Sequence, residues 1–198
     1  MEKEIRRCAW CCDNGVNQKY HDEEWGVPQH DDRRQFEYLS LEVMQCGLNW
    51  TMMLNKREIF RKCFDDFDFE KIAAYDEERV KKILETPGMI RSPRKVNAII
   101  SNARCFQKIR KEYGSFDAWL WGFTDGKTRV YRKHQEGEGE VKNELSDTIA
   151  AALKKRGFKY LGSITIYSHL QACGIINDHS PDCFRYQTLL DMGDVEFV

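Results

Sequence analysis

Two pairs of residues near opposite ends of the sequence have the types and spacing to hold a metal ion. Cys8 and His21 lie near the start, and His179-x-x-x-Cys183 lies near the end. Two thiolates and two imidazoles form a closed tetrahedral set of the kind that holds zinc structurally, and such a site would clasp the chain ends together. Spacing leaves the N-terminal sulfur open, because Cys8-x-x-Cys11 is a competing pair and Cys12 follows directly. A single H-x3-C pair also arises often by chance. A zinc hydrolase using His179 and Cys183 with Glu42 is a rival use of the same residues, and it requires an open metal position. Cys46, Cys63, Cys105 and Cys173 fall in helical apolar patterns and read as buried small hydrophobes. His30, His134 and His169 have no partner pattern and read as structural or solvent-facing.

Charge supplies the second candidate for chemistry. Between Arg91 and Lys111 there are seven basic residues and no acidic one (Arg91, Arg94, Lys95, Arg104, Lys108, Arg110, Lys111), whereas Asp65 to Glu85 holds eight acids against four bases. The whole chain has a net charge of −1, so only a cationic face, and not the global balance, can attract phosphates. Lys154, Lys155, Arg156 and Lys159 form a second basic cluster. The alternative for both is a solvated helix surface. The turn Thr86-Pro87-Gly88-Met89-Ile90-Arg91-Ser92-Pro93 divides an acidic helix candidate, Asp76 to Leu84, from the basic one. Two helices joined by a Gly-containing turn, the second opening in a cationic run, can offer backbone N–H groups to a phosphate. That arrangement looks like a helix-hairpin-helix.

The elements that must position these residues read as helices. Phe36, Leu39, Val43, Cys46 and Trp50 recur at helical spacing with Gly47 on the same stripe. Glu42 lies about 80° from the centre of that stripe at 3.6 residues per turn, an edge position where a carboxylate is usually solvated. Lys95 to Tyr113 repeats the pattern and stops at Gly114. Ser146 can cap a helix carrying Ile149, Ala152 and Leu153 that ends at Gly157, and a further apolar segment runs from Ile164 to Cys173. Phe64 to Phe69 reads as a connection and Gln135 to Asn143 as an exposed loop. With no alternating strand pattern and no internal repeat, the expected fold class is all-α.

At 198 residues with 41% hydrophobic content, the chain can bury a core in one domain or two small lobes. Met1 to Cys8 lacks an apolar leader region and no apolar run can cross a bilayer, so a soluble, cytoplasmic protein with no membrane partner is expected. Eight cysteines without a secretory leader read as thiols or metal ligands rather than a disulfide framework.

Several blocks in fixed order carry a resemblance. Cys8-Ala9-Trp10, Tyr20-His21-Asp22-Glu23-Glu24-Trp25-Gly26-Val27-Pro28 and Leu41 to Trp50 are similar to the 3-methyladenine DNA glycosylase I family. Leu153 to Gly162, Gln171 to His179 and Cys183 to Tyr186 continue the match, so it spans Cys8 to Tyr186. The resemblance implies a zinc bound by Cys8, His21, His179 and Cys183, and a helix-hairpin-helix glycosylase fold with its hairpin on Pro87 to Lys95. It thereby places Gly88, Arg91, Arg94 and Lys95 against double-stranded DNA. It also implies a base pocket built on Glu42, Tyr20 and Trp50 with Trp10 close by. The domain division that follows is a hairpin lobe over 28–118 and a zinc-stapled lobe formed by 1–27 and 119–198, in a monomer.

The implied chemistry is excision of 3-methyladenine from alkylated DNA. Methylation at N3 makes the base cationic and weakens its bond to the sugar, so a strong nucleophile is unnecessary. A flipped-out base must be held while water attacks C1′. Trp50 can stack on the cationic ring, Glu42 can accept hydrogen bonds from its amino edge, and Tyr20 can add a stacking or hydroxyl contact. No lyase lysine is evident, so a monofunctional enzyme is expected, with no organic cofactor. Two departures stand near the pocket. Asn49 occupies the serine position of a common Gln-Ala-Gly-Leu-Ser-Trp block, and Asn17 stands where a tyrosine is often found. Asn49 beside the stacking tryptophan would widen or alter the accepted lesions, for example toward 3-methylguanine. A binding module that kept the fold but releases no base is the other alternative.

Overall fold

The structure, a computed structural model, describes residues 5–135 and 139–198. Residues 136–138 of the loop expected between Gln135 and Asn143, and the His134 side chain, lie outside the described set.

Helices dominate, and most begin where a short polar side chain accepts the first free N–H groups. Asn14 caps α1 (Gly15–Glu23), Asp31 caps α2 (Asp32–Gln45) and Asn49 caps α3 (Trp50–Cys63). The short α4 (Phe69–Ala73) is capped by Asp68, α5 (Glu77–Glu85) by Asp76, and α6 (Pro93–Tyr113) by Ser92 with Pro93 at its first position. After α7 (Phe116–Trp121) come strand β1 (Thr128–Val130), the single turn α8 (Arg132–Gln135), α9 (Glu144–Lys155), α10 (Ser163–Ala172), α11 (Phe184–Leu190) and β2 (Val195–Phe197).

Three sequence expectations change. The Phe36 to Trp50 stripe is two helices, since Cys46 leaves helical geometry, Gly47 takes φ +79° and Asn49 starts α3. Glu42 and Trp50 therefore reach their positions from different helices. Asn143, not Ser146, caps α9; Ser146 sits three residues in and its hydroxyl accepts from the Asn143 N–H, completing a reciprocal capping box. The predominantly helical chain also carries a parallel pair, β1 with β2 in the register Thr128↔Val195, and Arg129 bridges to Ile176. Three-residue strands are too short for alternation to show in sequence.

The core sits where α2, α4, α6 and α7 meet. Phe106 stacks on Phe116 at 4.2 Å and meets Phe36 edge-on at 5.1 Å, all three fully buried. Each such ring contributes about 1.5–3 kcal/mol by leaving water. A buried ionic cluster locks the end of α1 to α2 and α3. Arg57 donates to Glu37 at 2.7 Å and to Glu24 at 2.8 Å, and Arg61 and Arg34 also reach Glu37. On the other side α10 packs on α9 and α2. Gly174, just past α10, lies so close to residues 26–28 that a Cβ there would come within 2.6 Å of the Gly26 carbonyl oxygen, so the backbone contact requires glycine.

Candidate functional site

A cavity of about 400 Å³ opens among α1, α2, α3 and α10, a size typical of small-ligand sites. α1 contributes Tyr20, α2 contributes Glu42 and Gln45 from adjacent turns, and α3 contributes Trp50 from its first position. Trp10 and Trp25 extend the aromatic wall, and Ser168, Gln171 and Asp178 close the side formed by α10 and the segment after it. Tyr20 and Trp50 face each other with centroids 5.3 Å apart and planes tilted by 56°, and Trp10 meets Trp25 edge-on at 5.0 Å. A larger cavity of about 540 Å³ beside Phe123, Arg129 and Leu145 carries its acids, Glu140 and Glu144, exposed to solvent.

Glu42 departs most from the solvated edge position that its helical-wheel angle suggests. It is only 5% exposed, because α10 covers the side of α2 that pattern alone leaves open to water. Burial pushes its carboxyl up to about 8. No charged neighbour counters that push, so at neutral pH the empty cavity favours the protonated acid and a bound cation would favour the carboxylate. Tyr20 is buried and its hydroxyl is pushed well up by burial, with smaller contributions from Tyr38 and Glu42. The Trp50 indole N–H is buried without a hydrogen-bond partner among the described residues, an unsatisfied donor on a residue of the cavity wall.

Beside this wall, Cys8, His21, His179 and Cys183 converge, all buried, with ligand atoms within 4.8 Å of one another. Cys8 Sγ and Cys183 Sγ each lie 3.5 Å from His179 Nδ1, and Cys183 Sγ lies 3.4 Å from His21 Nε2. The outward ring nitrogens have partners of their own: His21 Nδ1 meets Asp22 Oδ1 at 2.8 Å and His179 Nε2 meets the Trp25 carbonyl at 3.1 Å. With those nitrogens protonated toward acceptors, each inward nitrogen presents a lone pair, and the Ser180 N–H points at Cys8 Sγ from 3.3 Å as it would toward a thiolate. Burial pulls His179 down to about 3 and lowers His21, which keeps both rings neutral. Burial, offset in part by Ser180 and reinforced by Cys183, pushes the Cys8 thiol up to about 12. A thiolate pair in this setting needs a dication, so the donor set fits a metal. Cys8 is the N-terminal sulfur of the cluster; Cys11 donates to the Cys8 carbonyl at 3.1 Å and Cys12 is exposed. Four buried donors would fill the coordination sphere of a bound metal, and Glu42 lines the other cavity, so the described residues do not present the open metal position that a zinc hydrolase requires.

The methyladenine glycosylase family model matches residues 10–186. The chain belongs to that family. The DNA-3-methyladenine glycosylase 1 of Escherichia coli K12 is 40% identical over 182 residues, covering 92% of this chain and 97% of that protein. A crystal structure of a 3-methyladenine DNA glycosylase I, 43% identical, superposes with a TM-score of 0.85 over 90% of this chain and 98% of the other. Another 3-methyladenine DNA glycosylase I, solved in complex with 3-methyladenine, is 31% identical with a TM-score of 0.85, covering 90% of this chain and 96% of that one.

In this methyladenine glycosylase chain, Glu42, Tyr20, Trp50 and Trp10 come together as the motif blocks imply. Asn49 does not line the cavity; its Oδ1 accepts from Met52 N at 2.8 Å as the cap of α3. Asn17 is buried, and its side chain exchanges hydrogen bonds with the Thr51 hydroxyl, joining α1 to α3. Trp25, Gln45, Gly139, Glu140, Ser168, Gln171 and Asp178 are lining residues that the sequence reading missed, Glu140 being shared with the larger cavity. Gln45 stands three residues after Glu42 on one helical face, as Gln171 does after Ser168, and that spacing was the available signal. Asp178 accepts from the Tyr167 hydroxyl and from Gln171 Nε2, both at 2.6 Å, which fixes the wall on that side.

The cationic run divides in two. Arg91 and Arg94 are exposed with no internal partner among the described residues, beside Gly88 at φ +82° in the turn between α5 and α6. Lys95, Arg104 and Arg110 engage the protein itself: Arg104 donates to the Ala73 carbonyl, Arg110 to Asp32 and Glu70, and Lys95 to the Met44 and Cys46 carbonyls.

Proposed function

We propose that this chain hydrolyses the N-glycosidic bond of 3-methyladenine in alkylated double-stranded DNA, acting on a base flipped into the Glu42 cavity. The observation that supports this reading is a buried carboxyl without a charged partner, facing two aromatic rings, in a cavity of about 400 Å³. Such a site is poor for a neutral ligand and good for a flat cation. A 3-methylated adenine brings a positive charge that Glu42 accepts and a ring face that Trp50 and Tyr20 hold. Water adds to C1′ as the bond from C1′ to N9 breaks; the bonding pair passes to the base, which leaves neutral, and the proton passes from the attacking water to solvent. The carboxylate then has no cation to hold and takes a proton back, which favours product release. Unmethylated adenine carries no charge and gives no such return for ionising Glu42.

Cys8, His21, His179 and Cys183 would hold one zinc as a structural clasp. Its contribution is to bind the 8–25 segment to the 179–183 segment; His21 follows Tyr20 directly on α1 and stacks on Trp25, so the clasp would fix the aromatic wall. The α5 to α6 hairpin serves as the DNA-docking element of a helix-hairpin-helix glycosylase, with Gly88, Arg91 and Arg94 toward the phosphates. On this reading 28–118 and the paired ends 1–27 with 119–198 are the two lobes that flank the cavity, in a monomer that works in the compartment holding DNA.

The test is release of free base. Purified protein is incubated with methylated duplex DNA, and the supernatant is resolved by chromatography. Free 3-methyladenine accumulating in proportion to protein is expected; tight binding of the alkylated duplex with every damaged base retained would replace the enzyme by a silent binding module.

A further inference from the structure

We propose that Lys95 is a positioning residue that couples the DNA-docking hairpin to the base cavity, and not a phosphate ligand; this rests on the function proposed above. Lys95 is the third residue of α6, in the place where a cation would meet a phosphate at the end of the hairpin. Its ammonium turns inward instead and donates to the carbonyls of Met44 at 2.7 Å and Cys46 at 2.6 Å. The Met44 carbonyl is in the last turn of α2 and the Cys46 carbonyl is at the cap just beyond it, where no further helical donors follow. A cation at a helix C-terminus is also favoured by the helix dipole. The intervening Gln45 carbonyl accepts from Leu48 N, so three consecutive carbonyls at this end of α2 are held.

What they hold is the turn between the two helices of the cavity. Glu42 and Gln45 precede it on α2, and Trp50 follows it as the first residue of α3. A second link runs from the hairpin to α3, where Lys56 Nζ donates to the Gly88 carbonyl. Gly88 sits so near Ile59 that a Cβ would approach its Cδ1 to 2.7 Å. The hairpin thus grips α2 through Lys95 and α3 through Lys56 and Ile59. Movement of the hairpin on the DNA backbone is movement of the carboxyl and the indole, and displacement of such groups by about 1 Å costs on the order of a hundredfold in rate.

The test compares Lys95→Met, Lys95→Arg and Lys56→Met with Arg94→Ala. Affinity for an undamaged duplex is measured across a salt series, and single-turnover release of 3-methyladenine is measured at saturating protein. Thermal melts and helical circular dichroism show that each variant is folded. For Lys95→Met the expected result is an unchanged salt slope, duplex affinity within about twofold of wild type, and a saturated release rate lowered roughly ten- to a hundredfold. Lys95→Arg should recover part of the rate because it keeps a cationic donor. Lys56→Met should shift the rate in the same sense with the slope intact, and it decides the matter if Lys95→Met does not fold. Arg94→Ala should lower the slope by about 0.9, the amount expected for one lost phosphate contact. A Lys95→Met slope reduced by about 0.9 with an unchanged saturated rate overturns the proposal, as does a variant unchanged in both. A wild-type protein that frees no base refutes the function, and the salt slope then decides alone whether Lys95 meets phosphate.

Discussion

Replacing Glu42 by glutamine removes the charge while keeping the shape, and the structure sets the size of two opposite effects. Burial moves the Glu42 carboxyl from 4.5 to about 8, so ionising it in the empty cavity costs on the order of 5 kcal/mol more than ionising a glutamate in water. A unit positive charge about 4 Å away, at an effective dielectric constant of about 20, returns about 4 kcal/mol. The cationic base therefore offsets most of the cost, and its amino edge can supply the remainder through charge-assisted hydrogen bonds. Glutamine forfeits that attraction but also avoids the deprotonation, which at pH 7 costs wild type about 1.4 kcal/mol for a group at about 8, so the net loss is about 2.6 kcal/mol, or roughly a hundredfold in single-turnover release of 3-methyladenine. Stability moves the other way. Because the folded-state value is raised, the folded protein keeps a proton that the unfolded chain loses above pH 4.5, and wild type loses stability as pH climbs from there to about 8. Glu42→Gln has no such loss. Its stability relative to wild type should rise across that window, by up to about 5 kcal/mol less whatever the buried amide costs when unpartnered. Release rates on a methylated duplex, with urea unfolding of both proteins at pH 5, 7 and 9, check both halves. A rate within tenfold of wild type, or a stability difference that does not change with pH, would refute the reasoning.

Three further outcomes follow from the same geometry. For wild type, kcat/KM toward methylated DNA should rise with pH up to about 8, because the free enzyme must lose the Glu42 proton to receive the cation; a profile flat from pH 6 to 9 would count against it. Metal analysis should find one zinc per chain, and His179→Ala or prolonged chelation should lower the melting temperature and loosen the N-terminal segment to protease, because His179 contacts both Cys8 and Cys183. Arg57→Met removes the most buried donor to Glu37 and one of the donors to Glu24 while Arg34 and Arg61 stay on Glu37, so it should destabilise the fold by about 1.5–3 kcal/mol in urea denaturation.

The sequence made the helices legible where a local rule decides them. Asp76 opens α5, and α6 runs to Gly114 at φ +89°, where only the permissive residue continues the chain. It misled where two local rules meet, as between Phe36 and Trp50, because an apolar stripe keeps its period across a four-residue break and only Asn49 marks the new start. The metal cluster was legible as a set of types but not as a choice of sulfur, since Cys8 and Cys11 differ only in which way the Ala9–Cys11 turn points them. A residue that lines the cavity from beyond α10, such as Asp178, carries no local signature, because a wall made by a distant segment is a property of packing. Lys95 shows the same limit for charge. Counting cations along a helix cannot tell one that faces solvent from one that caps a neighbouring helix.

The burial of Glu42 was the least legible feature, and the proposed chemistry rests on it. On the α2 wheel alone the carboxyl belongs at a solvated edge; α10 covers that edge, and Gly174, just past α10, packs directly on the backbone of residues 26–28. A side chain at Gly174 would have to displace that backbone, and any shift that lifted α10 off α2 would wet Glu42 and return it toward an ordinary acidity. It would then be ionised whether or not a base was present, and it would attract any cationic group with no proton to release. Discrimination thus depends on keeping the acid dry until the right charge arrives. A substrate whose bond to sugar is already weakened needs little more from the protein than that condition, and it is met by packing of α10, remote in sequence from Glu42, on α2.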